Sequence, residues 1–321
     1  MNRYARQMIL PEVGQGGQDR LAAARVLVVG AGGLAAPLLP LLAGAGVGAI
    51  TIMDPDTVEL TNLHRQTLFT ESDCGRPKAE VAAERCRAIN SEGVHHGTNR
   101  SITPENVVQN GQKVDLILDC ADSYAASYLL SDACLALGKP LITASALGMS
   151  GYVAGVCGGA PSLRALFPDA PDGTATCATA GVLGPVVGIL GSMQAQMALS
   201  VLLGLSPSPL GQLVQFDAAT LRSTSFRFDE AHEPQRVFSF VSPSDLTGED
   251  TIIELRDTVE APVPLHPKAQ RLAPADLTKI ETNRGKRLAL CCATGLRAWR
   301  AAEEISTRWP GEIVLVAART S

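Results

Sequence analysis

The sequence lacks the marks of several protein classes. It has no long basic run: 27 lysines and arginines face 32 acidic residues, a net charge of −5. Contact with a nucleic-acid backbone needs clustered positive charge, so no nucleic-acid partner is expected. The opening residues 1–7, MNRYARQ, contain no apolar signal core. The eight cysteines follow no disulfide-framework spacing, which fits a reducing cytoplasm, the expected compartment. Charge is missing altogether from residues 182 to 205, a run long enough to cross a bilayer. Gly184-Pro185, Gln194 and Gln196 interrupt that run, so a buried core helix is expected and no membrane span.

What is present begins with 46% apolar residues in a chain of 321, enough for one large domain or two smaller ones. The chain is organised around residues 25–65. A buried apolar strand, 26–29, leads into Gly30-Ala31-Gly32-Gly33-Leu34-Ala35. A helix of small residues follows, then a second apolar strand, 49–53, that stops at Asp54. Gly30 permits a tight turn, Gly32 lets backbone approach a phosphate, and the helix N-terminus offers N–H groups and partial positive charge. Asp54 is placed to accept hydrogen bonds from a ribose. Alone, this pattern means a dinucleotide or ATP, and a tightly packed turn without a ligand also fits it.

The residues after Asp54 favour ATP. Asn62 and Arg65 stand three apart in TNLHRQ, and Lys78 follows Pro77 on the first turn of an expected helix. An amide and two cations suit a triphosphate, whose roughly four negative charges must be matched. A further buried strand ends in Asp119-Cys120-Ala121-Asp122. An aspartate at the carboxyl end of a parallel strand faces the ligand crevice, and there it could hold Mg2+ bridging the phosphates. His95 and His96 are neighbours on a strand and point oppositely, so they are read as solvent-facing and not as metal ligands.

RYARQ, GAGGLA, DPDTVELTNLHRQTLF, GRPKAE, DCADS and ATCATAGVLGPVVGILGSMQA resemble the MoeB/ThiF/HesA family, bacterial relatives of the ubiquitin-activating enzymes, and most of all its molybdopterin-synthase type. The resemblance runs from about Arg3 to Asp217. It implies an adenylyltransferase that activates the C-terminal glycine of a small ubiquitin-fold sulfur-carrier protein ending in Gly-Gly, for molybdopterin, thiamine or related synthesis. It implies a homodimer in which Arg6 reaches the neighbouring subunit's ATP, and a sulfur donor such as a cysteine desulfurase. It places a buried helix in the uncharged run. It also makes Cys177 the counterpart of a reactive cysteine, able to capture an acyl group or accept sulfur; an inert small residue is the alternative. Cys74, Cys86, Cys134 and Cys157 are read as structural.

The chain departs from this family at the structural zinc, which many members hold with two Cys-x-x-Cys pairs. Ser162 and Ala165 stand where the first pair belongs, and no cysteine lies near residues 226–232, where the second belongs. No zinc is expected. Ala35 replaces the last glycine of the loop, and Ser123 replaces a frequent asparagine.

The stretch 231–250, rich in Ser, Pro and charge, reads as a flexible linker. Beyond it, IIELRD, His266-Pro267-Lys268-Ala269 and the loop from Cys292 to Arg297 resemble a rhodanese domain, incomplete because the usual last helix is lacking. Backbone N–H groups around Cys292 would cradle a persulfide, giving a secondary sulfurtransferase activity; a degenerate docking domain is the alternative.

The expected architecture is therefore a doubly wound, mostly parallel Rossmann-like α/β sheet in residues 1–230, a linker over 231–250, and a small α/β rhodanese-like domain in 251–321. The expected catalytic residues are Arg65, Lys78, Asp122, Cys177 and Cys292. ATP is expected at Arg6, Gly30, Gly32, Gly33, Asp54, Asn62, Arg65, Lys78 and Asp122, with Mg2+ on Asp122. Two rivals remain: a nicotinamide oxidoreductase, which leaves Arg65, Lys78 and Asp122 without a joint task, and a non-catalytic interaction protein that keeps the fold.

Overall fold

The computed structural model describes residues 2–170, 181–280 and 286–318. Its helices are α1 (Ala5–Met8), α2 (Gly14–Ala23), α3 (Ala35–Ala45), α4 (Lys78–Ile89), α5 (Pro104–Gln112), α6 (Tyr124–Leu137), α7 (Leu163–Leu166), α8 (Gly184–Leu203) and α9 (Leu296–Ser306). The first sheet contains β1 (Arg25–Val29), β2 (Ala49–Met53), β3 (Val94–Thr98), β4 (Leu116–Asp119), β5 (Pro140–Leu147), β6 (Ser150–Cys157), β7 (Gln212–Asp217) and β8 (Arg222–Arg227). The second contains β9 (Ser239–Phe240), β10 (Thr251–Glu254), β11 (Gln270–Arg271), β12 (Leu288–Cys292) and β13 (Ile313–Ala317).

The first sheet runs β3-β2-β1-β4-β5-β6-β7-β8. β1 to β5 are parallel, and β6, β7 and β8 extend the sheet antiparallel. The sheet is doubly wound about β1, because the chain goes outward to β2 and β3, then returns to place β4 on the other side. Val26, Leu27, Val28 and Val29 are all buried, as a central parallel strand covered on both faces demands. The strand order reverses between β1 and β4, and ligands of such folds lie outside the carboxyl ends of the strands at that point.

α8 carries the uncharged run and belongs to the core. Val186, Leu190, Gln194, Ala195 and Ala198 are buried. Pro185 occupies the first turn, where no amide hydrogen is needed. Gln194, fully buried, explains the polar interruption: its Nε2 donates to the carbonyls of Asp119 (2.7 Å) and Ile142 (3.0 Å), and its Oε1 accepts from the Cys120 thiol. A buried amide without partners would cost about 1–3 kcal/mol; here it ties the helix to the end of β4 and to β5. Gly191 lets α8 press on α3, since a Cβ there would lie 2.2 Å from the Leu34 carbonyl oxygen.

The second sheet is all parallel, in the order β11-β10-β12-β13-β9. Two expectations change here. Residues 231–250 are not an open linker: β9 lies within them, pairs with β13, and buries Phe238 and Phe240. Ser, Pro and charge hid two aromatic anchors spaced two apart. The second unit is also docked on the first, not loosely tethered. One core joins Ala125, Tyr128 and Leu163 to Phe238, Trp299 and Ile305. Tyr128 and Trp299 meet edge to face, with centroids 4.4 Å apart, and the Arg164 guanidinium lies over both rings. Arg164 also pairs with Asp132 (Nε to Oδ1, 2.7 Å) and donates to the Phe238 carbonyl at 3.0 Å.

His95 is likewise not solvent-facing. It is 2% exposed on β3 while His96 is exposed. Alternation on the strand holds, but the inward side of β3 is covered, and burial lowers the His95 pKa.

Candidate functional site

The glycine turn after β1 is shaped by β4. Gly30 has φ +94°, and a Cβ on it would lie 2.5 Å from the Cys120 carbonyl oxygen, so no other residue fits. Its N–H donates to the Met53 carbonyl at 2.8 Å. The Ala31 N–H donates to Asp54 Oδ2 at 2.7 Å, and the Asp56 N–H to Asp54 Oδ1 at 2.8 Å. Asp54 thus stitches the turn to the end of β2. Burial raises its carboxyl pKa, against the two backbone hydrogen bonds and the Lys78 charge. At the start of α3 the Ala36 N–H donates to the Gly32 carbonyl at 3.0 Å, and Pro37 carries no N–H.

A cavity of about 870 Å³ opens at this point. Gly30, Gly32, Gly33, Asp54, Arg65, Lys78 and Asp122 all line it. Residues 92 positions apart in sequence, Gly30 and Asp122, therefore line one cavity. Lys78 begins α4, is 6% exposed, and donates from Nζ to Asp56 Oδ2 at 3.0 Å. Asp122 is an exposed carboxylate beyond β4.

The remaining expected residues fall elsewhere. Asn62 does not line the cavity; its Oδ1 accepts from Arg65 Nη2 at 3.0 Å and so fixes the guanidinium. Arg6 is exposed on α1 and is not a lining residue. Its neighbour Tyr4 packs beside Gly46, at the end of α3 opposite the glycine turn. Cys177 lies outside the described residues. Cys292 ends β12 and is fully buried, with the N–H groups of Gly295 (3.2 Å) and Ala298 (3.4 Å) directed at its sulfur. Arg297, at the end of the same loop, donates to Glu260 and to the Leu255 carbonyl.

Three features escaped the sequence reading. Asp119, at the end of β4, is wholly buried and does not line the cavity. It accepts from Thr143 Oγ1 at 2.8 Å, and burial pushes its pKa up to about 6, against hydrogen bonds from Ser127, Thr143 and the Ala121 N–H. Asp56 is the partner of Lys78, signalled by the second acid of Asp54-Pro55-Asp56. Gln66 lines the cavity at 4% exposure, its Oε1 without a hydrogen-bond partner among the described residues. Its signal was its place beside Arg65.

Ser162, expected in the place of a zinc cysteine, is committed to other bonds. It is fully buried, its Oγ donates to Glu233 Oε2 at 2.5 Å, and its N–H donates to Glu233 Oε1 at 2.7 Å. Ser162 Oγ also caps α7 by accepting from the N–H groups of Arg164 and Ala165.

A model of the ThiF family matches residues 4–237. A protein named adenylyltransferase and sulfurtransferase MOCS3 from Xenopus laevis is 42% identical over 224 residues, 67% of this chain and 49% of that protein. A sulfur carrier protein adenylyltransferase from Thermus thermophilus is 42% identical over 239 residues, 71% of this chain and 88% of that protein. The chain spans about half the length of the MOCS3 relatives it matches. Among solved structures, E. coli MccB with ATP superposes with a TM-score of 0.62 at 22% identity, covering 71% of this chain and 72% of that one. That likeness is one of fold.

Proposed function

The chain belongs to the ThiF family, and from that premise we propose that it uses ATP to adenylate the C-terminal glycine of a small ubiquitin-fold sulfur-carrier protein. The observation that carries the reading is the gathering of Arg65 and Lys78 with the glycine turn and Asp122 around one cavity. A carrier carboxylate attacks the α-phosphorus of ATP; the products are a protein acyl-adenylate and pyrophosphate. The carboxylate is already ionised, so no general base is required, and rate comes from positioning and charge compensation. Arg65, oriented by Asn62, and Lys78 offset phosphate charge. Backbone of the glycine turn, with Gly32 and Gly33 on the cavity, approaches the phosphate oxygens. Asp54 faces the ribose.

Magnesium fits the same cavity. One carboxylate, Asp122, together with phosphate oxygens is a donor set that suits this ion, whereas Asp119 is enclosed and held by Thr143. Bound there, it would offset charge on the departing pyrophosphate. Zinc has no part in the reading, because Ser162 and Glu233 satisfy each other.

The active form proposed is a homodimer. Arg6 stands away from the cavity of its own chain, and α3 and α8 offer a second copy an uncharged strip including Pro37, Ile189 and Met193. The downstream product is a carrier thiocarboxylate, with sulfur from a donor such as a cysteine desulfurase, and the setting proposed is the cytoplasm. ATP–pyrophosphate exchange with candidate carriers tests the reading; protein that binds ATP yet exchanges with none of them refutes it. Calorimetry with ATP and NAD separates it from nicotinamide chemistry.

A further inference from the structure

The first sheet does not enclose the cavity alone. The Asp54 N–H donates to the Thr98 carbonyl at 3.2 Å, so the chain leaving β3 runs beside the Asp54 turn. The wall continues through residues 101–105 and then crosses to residues 240–244 of the second unit. These two stretches are bonded together. Glu105 Oε1 accepts from Ser242 Oγ and, at 2.7 Å, from Ser244 Oγ, while Thr103 Oγ1 donates to Oε2 at 3.0 Å. Ser242, then Ser244 and Thr103, hold the Glu105 carboxyl below the usual range, so it stays an ionised acceptor.

The crossing segment is itself firmly built. The Ser242 N–H donates to Asp245 Oδ2 at 3.0 Å in a capping box, and the Val241 N–H donates to the Leu315 carbonyl at 2.9 Å on β13. Ala317, two residues beyond Leu315, also lines the cavity.

Taking the cavity as the ATP site, we propose that the turn at residues 241–244 closes the base end of the bound nucleotide, with Glu105, Ser242 and Ser244 as positioning residues that set the width there. The triphosphate belongs with the glycine turn, Arg65 and Lys78, and the ribose with Asp54. The base extends away from the phosphates, past Asp54, into the region walled by 101–105 and 241–244. Ile102 and Val241 supply apolar surface in that region, which a purine face requires. The second unit is thus part of the nucleotide site whether or not Cys292 ever carries sulfur.

The test uses the full chain carrying Ser242→Ala and Ser244→Ala. Calorimetry measures affinity for ATP and for inorganic tripolyphosphate, which has no base. ATP affinity falls roughly tenfold, the scale of one hydrogen bond to a charged group, and tripolyphosphate affinity holds. In pyrophosphate exchange the KM for ATP rises by the same factor while kcat holds. Glu105→Gln, which keeps an acceptor oxygen, binds ATP more tightly than Glu105→Ala. If the double variant does not fold, Ser244→Ala alone, at an exposed position, shows a smaller loss confined to ATP. Unchanged ATP affinity in the folded variants, or equal losses for ATP and tripolyphosphate, overturns the proposal. Calorimetry needs no carrier. A wild-type chain that binds ATP without exchange therefore refutes the adenylation reading, while the variants still decide this one.

Discussion

Replacing Lys78 with methionine removes a charge from the cavity and leaves most of the volume. Lys78 is 6% exposed, so its ammonium sits in a poorly hydrated wall where charge acts strongly. Its partner Asp56 has a side chain 61% exposed. Once the lysine is gone, water solvates that carboxylate, so no buried charge is left unpaired. The methionine stem refills the space of the lysine methylenes. Stability should therefore change little. Catalysis should not be spared: loss of one preorganised group facing developing charge costs about 2.7–4 kcal/mol, or roughly 100- to 1000-fold in rate. The assay is carrier-dependent ATP–pyrophosphate exchange, with a thermal melt alongside. Exchange close to wild type in a folded Lys78→Met protein would refute the charge-compensation argument. A large fall in melting temperature would assign the residue to structure instead.

Arg65→Ala should abolish exchange, and Asn62→Ala should weaken it less, because Asn62 acts by holding Arg65; steady-state rates of the two variants decide the order. Metal analysis of purified protein should give well under one zinc per chain, and a stoichiometric, chelator-resistant zinc would mean that ligands lie elsewhere. Arg164→Ala leaves Asp132 without its bidentate partner and strips the cation from Tyr128 and Trp299, so denaturant titration should show a loss of about 3 kcal/mol. Cys292→Ser and Cys177→Ser should keep pyrophosphate exchange and lose thiocarboxylate formation, read by mass spectrometry of the carrier. Wild-type thiocarboxylate rates in Cys292→Ser would remove that residue as sulfur donor.

The parts of the site that were legible in sequence are those dictated by local backbone chemistry. Gly30 must be glycine because its φ is positive and a carbonyl sits where a Cβ would go; both demands announce themselves as a glycine after an apolar run. Lys78 after Pro77 marks a helix start, and α4 begins there. Side-chain partnerships across the fold leave no such trace. Asn62 and Arg65 were both assigned to phosphate, but three-residue spacing on a turn also lets one hold the other, and only coordinates distinguish those outcomes. Asp119 and Asp122 look equivalent in sequence. The strand end turns the first toward Thr143 and Ser127 on α6, and leaves the second at the cavity.

The docking of the second unit was the least legible feature, and it bears most on Cys292. The residues that make the contact, Tyr128, Arg164, Phe238 and Trp299, lie 36, 74 and 61 positions apart in turn, and each alone reads as an ordinary core or surface residue. Together they bury an arginine over two touching rings and pair it with Asp132. The Cys292 loop is drawn into the same contact: a Cβ on Gly295 would lie 2.5 Å from the Phe240 ring and 3.3 Å from Ala125 Cβ. The two N–H groups that would steady a sulfur anion are already aimed at Cys292, but a wholly buried thiol meets no acyl-adenylate. Sulfur chemistry at Cys292 therefore requires the loop to part from Phe240 and Ala125. Adenylation carries no such requirement, because Arg65, Lys78 and Asp122 already line an open cavity with the second unit in place. In the docked arrangement the two proposed chemistries would be separated by geometry: Arg65, Lys78 and Asp122 face the cavity while Cys292 stays buried.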